Sequence, residues 1–76
     1  MEDDVCRVIA EALEVKKVLL SDSMDTISSW DSMGMLNILM ALEDAYGEKV
    51  ASISELSEVR SVDEIIKLLR RESIIS

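Results

Sequence analysis

The chain has 76 residues, near the lower limit at which one apolar core outweighs the conformational entropy of folding. Sixteen acidic against eight basic side chains give a formal charge of −8, which repels nucleic acid and anionic membrane surfaces and favours partners that present Lys and Arg patches. Nearly half the residues are hydrophobic, but the aromatics are one Trp and one Tyr, so the core is aliphatic; the lack of Pro and the presence of only two Gly lean toward helix. The acidic start Met1-Glu2-Asp3-Asp4 is the reverse of a signal peptide's basic leader. No apolar run approaches the ~20 residues that span a bilayer. The single cysteine, Cys6, has no internal disulfide partner. The expectation is one cytoplasmic, monomeric, all-α domain over residues 1–76.

From Asp4 to about Lys17 the apolar residues Val5, Val8, Ile9, Ala12 and Leu13 recur at helical spacing. Asp3 or Asp4 is suited to cap this first helix, and Lys16 and Lys17 suit its negative end. Between Val18 and Asp31 the periodicity is lost and Ser-rich turns take over. A loop this long in a small domain needs pinning, for which Leu19, Leu20, Met24 and Ile27 are available. A second helix spans Ser32 to Tyr46 and stops at Gly47. Ile53, Leu56 and Val59, at spacing three, predict a short third helix over 54–59. Ser61-Val62-Asp63-Glu64 is a capping box that opens a fourth helix with the stripe Val62, Ile65, Ile66, Leu69. The expected architecture is a small four-helix bundle of three longer helices and one short one, with a long loop between the first two.

The second helix carries two apolar faces. Met35, Ile38, Leu39, Leu42 and Tyr46 form a core stripe, whereas Met33, Leu36 and Met40 form a separate one beside Ser32, flanked further along by Glu43 and Asp44. A helix buried on several sides explains a second stripe. So does a partner-facing strip, in which adaptable Met side chains sit inside an acidic rim that orients basic partners. Asp31 and Ser32 are both good N-cap residues, so Ser32 taken alone is an ordinary helix start.

Several segments together resemble the acyl carrier protein family, which carries phosphopantetheine on the serine of an Asp-Ser-Leu motif at the start of its second helix. The matching residues are Asp31-Ser32-Met33, then Met40-Ala41-Leu42-Glu43-Asp44-Ala45-Tyr46-Gly47, then Ser61-Val62-Asp63-Glu64-Ile65-Ile66. Length, acidity, the long first loop and helix order agree over nearly the whole chain. The resemblance implies that a phosphopantetheinyl transferase moves a 4'-phosphopantetheine arm from coenzyme A onto Ser32, with Asp31 as its motif partner. The arm's thiol then carries acyl intermediates as thioesters to enzymes of fatty acid, polyketide or related specialised biosynthesis. It implies further that Glu43 and Asp44 face basic surfaces of partner enzymes, that Leu36 and Met40 make apolar contacts there, in the strip that also holds Met33, and that the domain is not itself an enzyme. Independently of the family, free amides at a helix N-terminus favour a phosphodiester. The chain departs from the pattern at Met33 in place of Leu, at Gly34 and Asn37 where acidic residues are frequent, and in the 48–59 segment, which lacks the usual Pro and acidic helix. Trp30 before the motif is more like carriers of specialised pathways.

The alternative is a carrier-like interaction module without a prosthetic group. Peptidyl carriers are a near relation, but their Gly-rich approach to the serine is absent, and no catalytic constellation supports an independent enzyme. Cys6 reads as a small core hydrophobe. Trp30 is placed to pack over the first loop or to line the edge of the arm site. Asp22 and Asp25 invite a calcium loop, but Met24 sits at its third position and the central Gly and final Glu are missing, so no metal site is expected.

Overall fold

The computed structural model describes residues 2–76. It contains three α-helices, α1 (Glu2–Leu13), α2 (Ser32–Tyr46) and α3 (Val62–Arg71), and two 3-10 turns, Glu48–Ser52 and Ser54–Glu58. Among the described residues there is no strand; a single antiparallel bridge joins Ser23 to Ser61. The fold is thus a small all-helical domain, and the short third α-helix of the expected four is replaced by the two 3-10 turns.

That replacement has a physical cause. Val50, Ile53, Leu56 and Val59 are all buried at a spacing of three, which is the period of a 3-10 helix. Serine hydroxyls reinforce the tight turns: Ser52 Oγ donates to Lys49 O at 2.7 Å and Ser57 Oγ to Ser54 O at 2.9 Å.

α1 begins at Glu2 and stops at Leu13, four residues before Lys17. Asp3 and Asp4 therefore lie inside its first turn, where they favour the helix dipole, and neither is its cap. The stop is a Schellman motif: Glu14 takes φ 57°, its N–H donates to Glu11 O, and Val15 N–H donates to Ala10 O at 3.0 Å. α3 ends the same way, with Ser73 at φ 60° and Ile74 N–H donating to Leu69 O at 2.9 Å. At its start Ser61 Oγ accepts from Glu64 N–H, and Glu64 Oε1 accepts from Arg60 N–H.

The core joins Val5, Ile9 and Leu13 of α1, Met35, Ile38 and Leu42 of α2, and Val62, Ile65 and Leu69 of α3. The first loop is tied down at Met24 N–H to Arg60 O (2.9 Å) and Val62 N–H to Asp22 O (3.1 Å). Val18, Ile27 and Trp30 anchor it in the core. Leu19 and Leu20 do not: both are exposed, because the Leu19–Asp22 turn, held by Leu19 N–H to Asp22 Oδ2, projects them outward.

Candidate functional site

The N-terminal turn of α2 is built by three local interactions. Asp31 is the N-cap, its Oδ1 accepting the Gly34 N–H at 2.9 Å while its carbonyl accepts the Met35 N–H at 2.8 Å. Ser29 Oγ donates to Leu13 O at 2.9 Å, fastening the approach to α2 onto the end of α1. Gly34 is buried in the junction so formed: a Cβ there would fall on the Ser29 carbonyl oxygen and 2.9 Å from Leu13 Cδ2. Gly34 is thus a close-approach glycine, and no side chain of any charge fits at this position.

Because Asp31 caps the helix, Ser32 does not. Its hydroxyl is exposed and makes no hydrogen bond among the described residues, and the Ser32 and Met33 amides of the first turn have no backbone acceptor. Met33, Leu36 and Met40 are 65%, 49% and 59% exposed, whereas Ile38 and Leu42 on the other face are fully buried. The two faces of α2 are therefore one core stripe and one solvent-facing strip. Ser32, Met33, Leu36, Met40, Glu43 and Asp44 are all exposed and share about 120° of helix arc. At the far end Tyr46 is half-buried; burial, then the nearby Asp4 carboxylate, raise its phenol above the ordinary value. Leu13 at the end of α1 lies against Gly34, and Asp4 near its start lines a common cavity with Tyr46, so α1 and α2 run antiparallel.

Trp30, immediately before the motif, is buried, with its indole Nε1 donating to Met35 Sδ at 3.5 Å. It packs under the helix start and does not line an exposed site. Cys6 is buried and its thiol is raised above the usual range, first by burial and then by Asp3, Glu2 and Asp22. It behaves as a core hydrophobe and not as a thiolate nucleophile. Asp22 uses both carboxylate oxygens on its own loop, accepting from Leu19 N–H and Thr26 Oγ1. No cluster of metal-ligating side chains occurs among the described residues.

Ser29 and Leu13, the supports of the site, are not marked as such by any local pattern in the sequence. The available signal was a glycine in the first turn of a strongly apolar helix, a position where glycine costs helix propensity without need unless something approaches closely. Compared with protein-family models, curated proteins and solved structures, the chain gives no significant match. No described helix is long and apolar enough to cross a membrane.

Proposed function

We propose that the chain is an acyl carrier, with Ser32 the attachment point of a phosphopantetheine arm and the exposed side of α2 the surface read by partner enzymes. The observation that carries this reading is the division of labour at residues 31 and 32. Asp31 supplies the cap, and the Ser32 hydroxyl is left exposed and unpaired at the head of an apolar strip.

The residues present fit the group. Attachment forms a bond from Ser32 Oγ to phosphorus as the pyrophosphate bond of coenzyme A breaks. The adenosine half leaves, and the hydroxyl proton passes to a base on the transferase. The two unpaired first-turn amides favour the phosphodiester left at this place. When bound, the arm supplies a thiol that holds acyl groups. The domain contributes position and recognition while partners do the chemistry; Asp31, the carboxylate next to Ser32, is occupied as the cap of the helix. On this reading the two 3-10 turns take the place of the short third helix of a four-helix carrier bundle, and the setting is the cytoplasm.

Incubation with coenzyme A and a promiscuous phosphopantetheinyl transferase is expected to add the mass of one phosphopantetheine, and Ser32→Ala to abolish the gain. No gain across a panel of transferases overturns the reading. A specific partner bound equally by wild type and Ser32→Ala would instead favour the arm-free interaction module.

A further inference from the structure

The charges on α2 are distributed unevenly along its length. No ionisable side chain occurs from Ser32 through Leu42, and Glu43 and Asp44 follow together. The Ser29 carbonyl and Leu13 leave no room for a side chain at Gly34, so packing keeps this place in the first turn free of charge. Asp31, the carboxylate that precedes Ser32, is committed to the Gly34 N–H, where it offsets the positive end of the helix. What the first three turns present to a partner is Met33, Leu36 and Met40, with the neutral Asn37 beside them.

Eleven or twelve residues of α-helix separate Ser32 from the acidic pair, a distance of about 17 Å at 1.5 Å per residue. At physiological salt this is about two Debye lengths, so Glu43 and Asp44 exert little force on a group seated at Ser32. They can orient an arriving partner but cannot hold the reacting end in place. Seating there has to come from burial of the exposed Met and Leu side chains, which salt does not screen.

From the carrier reading above, on which this rests, we infer the chemistry of the partner surface. It is an apolar cleft next to the group that reacts with Ser32, with Lys or Arg confined to a rim about 17 Å further along the helix. Docking is therefore driven mainly by apolar contact and only weakly by charge. A partner whose cations cluster beside its active site gains nothing from this helix.

The test uses a promiscuous phosphopantetheinyl transferase as the probe and reads initial rates of mass gain at low and high sodium chloride. The KM for coenzyme A is measured separately so that salt effects on the nucleotide are removed. The KM for the wild-type carrier is expected to change by less than about twofold between 50 and 500 mM salt. Leu36→Ser with Met40→Ser should raise it about tenfold at both salts. Glu43→Gln with Asp44→Asn should raise it by less than about twofold, and only at low salt. Met33→Ser, at the most exposed position, is a second apolar variant should the double substitution lose helicity. A wild-type KM that climbs about tenfold with salt, or a larger loss from the acidic pair than from the apolar pair, overturns the inference while leaving the carrier reading intact. So does a concentration-dependent dimer that Met40→Ser dissociates, because a second copy would then be what covers the strip. No mass gain from wild type at either salt overturns the carrier reading and this inference with it.

Discussion

The Ser29 carbonyl oxygen occupies the space that a Cβ on Gly34 would need. Backbone meets backbone here, and neither side has a flexible end that can swing away. Helix propensity argues that Gly34→Ala should stabilise α2 by up to about 1 kcal/mol. The junction with Ser29 and Leu13 argues the opposite and is the larger effect. Gly34→Ala is expected to lose about 2 kcal/mol in urea denaturation, within the range for overpacking. A gain in stability would show that the approach of Ser29 is not maintained in solution.

Asp31 and Ser32, adjacent and both capable of capping, should separate cleanly by mutation. Asp31→Ala removes the acceptor of the Gly34 N–H and is expected to cost about 1 kcal/mol. Ser32→Ala removes a hydroxyl with no partner and should leave the denaturation midpoint within about 0.3 kcal/mol of wild type. If Ser32→Ala proves the costlier, the capping assignment is wrong.

The loop before α2 divides into buried and exposed apolar residues. Trp30→Ala is expected to lose about 3–5 kcal/mol, enough to threaten folding of so small a domain. Leu20→Ser, at an exposed turn, should be nearly neutral. Because Trp30 is the only tryptophan, its fluorescence reports the transition directly in Leu20→Ser and in wild type.

Cys6 and Tyr46 both hold their protons more tightly in the fold than in the unfolded chain. Above the ordinary thiol value of about 8.5, and again above about 10 for the phenol, the unfolded chain loses protons that the folded chain keeps. The unfolded state then binds fewer protons, and stability falls as pH rises. Thermal midpoints should therefore be flat between neutral pH and about pH 8 and decline beyond it, with Cys6→Ala shallowing the first part of the decline. At neutral pH the Cys6 thiol should resist iodoacetamide until denaturant is added. Rapid alkylation of the folded protein would contradict its burial.

The two left-handed residues offer a stabilising change. Glu14 sits at φ 57° at the end of α1, where glycine is free of the Cβ penalty. Glu14→Gly is expected to raise stability by about 0.5–1 kcal/mol in denaturant titration. A loss would mean that Glu14 makes a compensating contact in solution.

Local patterning was enough to place α2 from Ser32 to Tyr46, the capping box at Ser61 and the stripe of α3, because each depends on residues within a turn or two of one another. The end of α1 was not legible in this way: its Schellman motif uses Glu14 where glycine is the usual marker, and α3 repeats the pattern at Ser73. Helical turns around 54–59 are legible from Ile53, Leu56 and Val59, but their spacing of three is the 3-10 period, and the segment forms 3-10 turns in place of a short α-helix. The pinning of the first loop was misassigned because Leu19 and Leu20 look no different from Val18 and Ile27 until the Asp22 turn decides which of them face inward.

Ser32 shows the same division. From sequence alone, its residue type and place at a helix start could be read, along with an apolar strip of two possible meanings. Only the tertiary structure decided that Asp31 takes the cap, that Met33, Leu36 and Met40 stay in solvent, and that Gly34 is required by a carbonyl from outside the helix. Helices and caps follow from short-range hydrogen bonding and periodicity, which the chain carries locally. Which of two apolar faces is buried depends on what packs against the helix, and that is decided by residues far away in sequence, among them Leu13.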